Sequence, residues 1–579
     1  MKLLAVFCVS CGLVVPSLAL DREAFTFTNY DLNVRVEPEQ QRLGVRGRIT
    51  LRNDSTTPQN DIALQISSTL DWRSIQFSGK TVQFVTHEYT SDIDHTGALS
   101  EAIVTLPHEV PPQGTVELEI GYEGVIPLDV TRLTRIGVPE DRARHTDWDQ
   151  ISKSFTAVRG IGYVAWYPVA TESANLSEAN RVAGAVGRWK SRELEATMDV
   201  NLCMAGGTST TRFGLMNERI EGVPGASAGG TSGSKAVALC TKHKYLPVGE
   251  SVPVFVDANY LELGKASIWF HYFPEHKSAM EDYALAAELA MPLVRVWFGA
   301  PTRKVELVEL SDPEAAPFES GTMLLMPLSH DDTQLYELTA AHQLTHAAFF
   351  SPRSWIYEGV AHFAQALERE QQNGRQSALD FMALHRTAIA DAERTLAAER
   401  NQTNAANESL INTNTEEFYR SKAMYVWWML RDMIGDAALN KALATYHPGQ
   451  DKEPSYVQHL IAAQTHRDLE WFFDDWVYRD RGLPDFRIES AYPRTTVDGG
   501  SVVTVTIENL GDAGAEVPVT LRMASGEVTK RLEVHAKSKA SIRIETSSTP
   551  KEVVVNDGSV PESDVSNNVV EVPPPNGAK

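Results

Sequence analysis

From Thr26 to Tyr122 the apolar residues alternate with polar ones in short runs, as in Leu32, Val34 and Val36, in Ile49 and Leu51, and in Val116, Leu118 and Ile120. A period of two places such residues on one face of a pleated strand, and turn residues between the runs predict antiparallel strands. A second stretch of this kind runs from Glu193 to Tyr272, after a less regular segment whose apolar portion is Gly160 to Pro168. Residues 20–270 are therefore read as one N-terminal β domain with a complex loop. At Ser278 the period changes. Met280, Tyr283, Ala284, Ala287, Leu289, Leu293, Val294 and Trp297 recur at helical spacing and stop at Gly299 and Pro301. One strand, Val305 to Leu310, follows, and helical patterning then continues to about residue 480, so 271–485 is predicted as a mostly helical domain. Within it the run from Gln371 to Glu417 is polar, carries no catalytic signal and suits a mobile connection. Alternation returns in Val502 to Ile507, Val517 to Leu521 and Ala540 to Ile544, separated by turns at Asp498 to Gly500 and Leu510 to Gly514. This predicts a β-sandwich over 486–572 with a Pro-rich tail at 573–579. The predicted fold class is multidomain α+β.

A chain of 579 residues is too long for a single core. Its 53 basic against 76 acidic residues give a net charge of −23, which repels phosphate backbones and anionic lipid and so argues against nucleic acid as a partner. Residues 1–19 combine Lys2, an apolar run from Leu3 to Val15 and the small-x-small site Ser17-Leu18-Ala19, the pattern of a secretory signal peptide cut after Ala19. The expected location is secreted or periplasmic, with lipid anchoring at Cys11 as the alternative. No later stretch has the roughly 20 apolar residues that a transmembrane segment needs. Of the four cysteines, Cys8 and Cys11 leave with the signal peptide. Cys203 and Cys240 then form a candidate disulfide around the Gly/Ser-rich stretch 225–233, or remain as two buried thiols.

The chemistry concentrates in Ala341-His-Gln-Leu-Thr-His-Ala347, followed by Trp355-Ile-Tyr-Glu358-Gly359. His342 and His346, four residues apart, share one helical face and can reach one ion. Ser329 to Asp332 resembles a helix N-terminal cap, and Ser351-Pro352 stops the helix. A second helix starting near Pro352 sets Glu358 in its first turns. Two histidines at this spacing also occur as surface or core residues; the Trp-x-x-Glu-Gly element downstream favours a metal site. Two His and one Glu with a fourth position open to water form a catalytic type of Zn2+ arrangement.

These segments resemble the aminopeptidase N family of gluzincin metallopeptidases, where H-E-x-x-H is followed by W-L-N-E-G. The similarity spans about residues 25–485 and includes Tyr30 to Val34, Arg431 to Gly435 and Asp468 to Trp476. It implies an N-terminal β saddle, a thermolysin-like mostly α catalytic-type domain, zinc on His342, His346 and Glu358, and a peptide or protein substrate or ligand. The sandwich beyond is Ig-like or CARDB-like. The chain departs from the family at several positions. Eleven residues separate His346 from Glu358, fewer than usual. Gln343 stands at the general-base position, and a neutral amide cannot take the proton of a zinc-bound water unless another carboxylate substitutes; Glu337 and Glu319 are nearby in sequence. Leu324 replaces the glutamate that holds the substrate amine. Arg420 falls on the family's transition-state tyrosine, with Tyr419 beside it, and either can donate to an oxyanion. His362, four residues after Glu358, is a candidate supporting or fourth ligand, whereas Trp427, Trp428, Trp471 and Trp476 are read as core. The two resulting readings are a zinc metallopeptidase homologue with impaired hydrolysis and a catalytically inactive pseudopeptidase that binds peptides or proteins.

Overall fold

The computed structural model describes residues 20–177, 181–205, 215–217, 239–245, 247–265, 267–301, 303–329, 333–400, 408–413, 415–496 and 500–573. The signal segment with Cys8 and Cys11, the 225–233 stretch, residues 330–332 of the predicted cap, 498–499 of the predicted turn and the tail after 573 lie outside them. The molecule is multidomain and contains both sheets and helices.

The alternation of the N-terminal region becomes a seven-stranded sheet in the order Leu239–Tyr245, Thr197–Met204, Phe25–Glu37, Arg42–Asn53, Thr115–Val125, Leu70–Phe77 and Lys80–Thr81. Tyr30, Leu32, Val34 and Val36 point into its core while Asn33 and Arg35 face solvent. A three-stranded sheet of Gln59–Ser67, Ala98–Val110 and Gln83–Thr90 shares that core through Ile62, Leu64, Ile66 and Val104. Cys203 and Cys240 are register partners on neighbouring strands and are joined by a disulfide. Replacing both with serine is expected to lower stability by about 3 to 4 kcal/mol through the freed loop entropy; unfolding curves of the oxidised and doubly substituted proteins check this.

The last two alternating strands join a different sheet from the strands before them. Leu261–Lys265 and Ile268–Tyr272 hydrogen-bond not to the N-terminal sheets but into a five-stranded sheet with Val305–Glu309, Met323–Met326 and Phe318–Ser320. The three central strands are parallel and so need crossovers, the first of which is the helix Lys277–Phe298. The helices Thr333–Ala348 and Ser354–Asn373 follow. The polar run after Gln371 is also largely helical, as Arg375–Ala383 and Arg386–Arg400, with 401–407 outside the described residues.

The C-terminal strands form sheets of three and four strands. Their facing side chains, among them Val503, Val505, Val517 and Val519, belong to the same continuous core as the helical domain. Trp476 Nε1 donates to the Gly514 carbonyl at 2.7 Å across that junction. Trp427, Trp428 and Trp476 are fully buried, and Trp471 packs against the same cluster.

Candidate metal centre

The helix Thr333–Ala348 carries both histidines on the face turned toward Ser354–Asn373. Only five residues link the two helices, and this short link is pinned. Ser351 hydrogen-bonds the Tyr446 hydroxyl at 2.8 Å, and Arg353 Nε donates to both Asp451 oxygens at 2.7 and 2.8 Å. The pinned turn allows Glu358 to reach the histidines despite the short spacing. His342 Nε2 and His346 Nε2 lie 3.1 Å apart, and the Glu358 oxygens lie 3.9 and 3.7 Å from them. Atoms about 2.0 Å from one tetrahedral centre are about 3.3 Å apart; the two histidine nitrogens meet that separation, whereas their nearest carboxylate atoms are different Glu358 oxygens, so the carboxylate must draw closer to complete the triangle on one ion.

The electrostatics suit a cation. Burial and then the neighbouring His346 hold the His342 imidazole down at about 3, and burial with Arg420 lowers His346 well below its usual value. Both rings are neutral at neutral pH, the form that offers a lone pair to a metal. Burial opposes ionisation of Glu358, but Arg420 and His342 outweigh it and keep the carboxyl below its ordinary range. Tyr357 lies tilted against His346 with ring centroids 3.9 Å apart. These three side chains form a group with ligand atoms within 4.8 Å of one another. His362 is not in that group and packs edge-on against His342 with centroids 5.0 Å apart.

The glycine of the Trp-x-x-Glu-Gly element has a steric reason. A Cβ on Gly359 falls 2.7 Å from Ala423 Cβ and 2.9 Å from Trp427 Nε1, so only glycine permits the close approach of the Ala423–Ile434 helix. Gly359→Ala is expected to cost about 1 to 3 kcal/mol by overpacking. Urea unfolding followed by tryptophan fluorescence checks the loss.

The other predicted residues divide. Arg420 sits in a π-helical turn, Glu417–Lys422, and is committed to carboxylates: its Nε donates to Glu358 Oε2 at 3.1 Å, and it also pairs with Glu416. The Tyr419 hydroxyl makes no hydrogen bond among the described residues, and burial raises its pKa to about 12. It lines a cavity of about 390 Å³ together with Glu319, Tyr357 and Glu358. The N-terminal domain supplies the other wall, including Tyr163, Val186, Lys190 and Glu250. Lys190, whose pKa burial lowers and the Glu358 charge partly restores, was not singled out from the sequence. Its helix, Arg181–Arg192, belongs to another domain, so no local pattern ties it to the histidines. Gln343 is buried; Tyr283 donates to its Oε1 at 2.8 Å, and its Nε2 donates to Glu319 Oε1 at 3.1 Å. Leu324 is buried in the apolar core. Glu337 stands beside Glu368 and does not line the cavity.

The chain matches no family profile and no curated protein. Among solved structures it is similar to an M1 zinc metallopeptidase from Deinococcus radiodurans, at 15% identity and a TM-score of 0.49 over 80% of this chain and 96% of that one. A mutant of that enzyme matches at 16% identity with a TM-score of 0.48, and the mutant bound to a Tyr-Ser-Ala substrate at 16% and 0.49, with the same coverage.

Proposed function

We propose that the chain is an exported, zinc-binding homologue of aminopeptidase-like metallopeptidases that receives a peptide in the cleft between its first two domains. The observation that carries this reading is the convergence of two neutral imidazoles and one ionised carboxylate, of which the carboxylate, Glu358, lines the cleft. His342, His346 and Glu358 would hold the zinc. Bound there, the ion would supply a water activated near neutral pH and polarise a carbonyl. The chain's own groups do the rest. Arg420 fixes one Glu358 oxygen, Tyr357 backs His346, and the Tyr419 hydroxyl is the donor available to a developing oxyanion. With Leu324 buried in the core, nothing at that position pairs with a substrate ammonium. Export is supported by the signal-like residues 1–19 and by the Cys203–Cys240 disulfide.

The second reading, a non-catalytic peptide-binding cleft, has Gln343 in its favour, since an amide accepts no proton. Zinc analysis of protein purified without chelator, beside a peptide-library digest, separates the two. One zinc per chain with cleavage supports the peptidase, and one zinc without cleavage supports the binding module. Protein that carries no zinc and takes none up refutes both.

A further inference from the structure

Two carboxylates that the family resemblance implies are replaced here, by Gln343 and by Leu324, and one carboxylate adjoins both positions. Glu319 stands directly opposite Leu324 in the antiparallel pairing of Phe318–Ser320 with Met323–Met326. Residues so paired share a sheet face, here the face turned toward the histidine-bearing helix. Across that gap the Gln343 amide donates to Glu319 Oε1, while its own oxygen accepts from Tyr283. A carboxylate can only accept, so this arrangement fixes the Gln343 NH2 group on Glu319. Glu319 also lines the cavity that Glu358 and Tyr419 line. The residue following the first histidine thus holds a carboxylate by one hydrogen bond where the family would carry its own.

We propose that Glu319 is the catalytic residue that takes the proton of the attacking water, with Gln343 as the positioning residue that aims it. The proposal rests on the metal-site reading above. One water proton passes to Glu319 while the water oxygen bonds the scissile carbonyl carbon. The C–N bond then breaks, and the proton held on Glu319 goes to the departing nitrogen, so that peptide and water give an acid and an amine. Burial and then the Glu358 charge push the Glu319 carboxyl up to about 7, against the Gln343 amide and Arg420, and a base is most effective near the working pH. The competing role, suggested by the pairing with Leu324, is capture of the substrate's amine.

The test compares wild type, Glu319→Gln and the swap Glu319→Gln/Gln343→Glu, each purified without chelator. Glu319→Gln is expected to keep the wild-type zinc content while hydrolysis of a quenched peptide falls about 10²- to 10⁴-fold, equally for free and N-acetylated substrates. Its affinity for a peptide hydroxamate is expected to fall about tenfold, because that ligand gives its hydroxyl proton to the same carboxylate. The swap exchanges carboxylate and amide across one hydrogen bond and is expected to regain more than about tenfold of the lost rate. If Glu319→Gln does not fold, Glu319→Asp, which keeps the charge but retracts it, is expected to lose about tenfold in rate with zinc retained. Unchanged turnover in the variants overturns the proposal. So does a loss confined to KM and to free-amine substrates, which makes Glu319 an amine anchor. Zinc-loaded wild type that cleaves no library member overturns the base role but leaves the metal site standing, whereas wild type without zinc removes both.

Discussion

Glu358→Ala is expected to lose zinc almost completely, with affinity reduced by more than the roughly 10- to 100-fold that follows loss of an outer-sphere partner. The variant keeps both imidazoles but loses the only anion in the ligand group. It also removes one of the two carboxylates paired with Arg420, leaving its guanidinium to Glu416 alone and less well balanced beside the incoming cation. Ligand loss and charge repulsion act in the same direction. Gln365→Ala is the matched control: that residue bonds the Leu338 carbonyl and touches His342 from outside the ligand group. Titration with a zinc-competing chromophoric chelator reads both variants. Equal affinities for wild type and Glu358→Ala would remove the carboxylate from the site and leave a bare histidine pair.

The parts of this centre differ in how far the sequence exposes them, and the difference follows the distance over which each is specified. The histidine pair is legible because four residues is one helical turn. Glu358 is legible because its element follows at once, and the structure adds only the pinning of the turn by Arg353 and Ser351. Glu319 is not legible as a partner of Gln343. Its strand has three residues and the next has four, too short for periodicity to show, and their register is a non-local property. Arg420 meets Glu358 through a π-helical turn, and no composition signals that extra residue. Sheet membership is hidden for a related reason: Leu261–Lys265 alternates like the strands before it, and only its pairing partner reveals its sheet. In the run after Gln371 polarity points to a connection, but the Ala, Arg and Glu of Arg386–Arg400 are strong helix formers, so propensity outweighs the lack of a broad apolar face.

Lys422→Met is expected to destabilise the protein by about 3 to 5 kcal/mol, since removing one partner of a buried ion cluster strands the others. Lys422 is fully buried and its ammonium bonds Glu393 and Asp480. Burial pulls the ammonium pKa down, but the two carboxylates outweigh it and raise it above 10.5. A raised folded-state pKa contributes stability fully below the unfolded value and loses it as pH rises through the folded one, so the effect persists across neutral pH and fades only in strong alkali. Urea unfolding at pH 7 and near pH 11, read by tryptophan fluorescence with Trp476 5.4 Å from the ammonium, measures it. The triple variant Lys422→Met/Glu393→Gln/Asp480→Asn is expected to recover most of the loss, because no buried charge then lacks a partner. A single variant within about 1 kcal/mol of wild type would show the cluster to be water-accessible. The cluster also connects distant parts of the fold. Lys422 closes the turn that brings Arg420 to Glu358, and Asp480, held at a left-handed φ of 42°, starts the link into the sandwich. A backbone held there needs support from its surroundings, and the ammonium provides it. The same Lys422→Met protein is therefore expected to bind zinc more weakly at temperatures where it is still folded, as Arg420 loses its fixed approach to the metal-binding carboxylate.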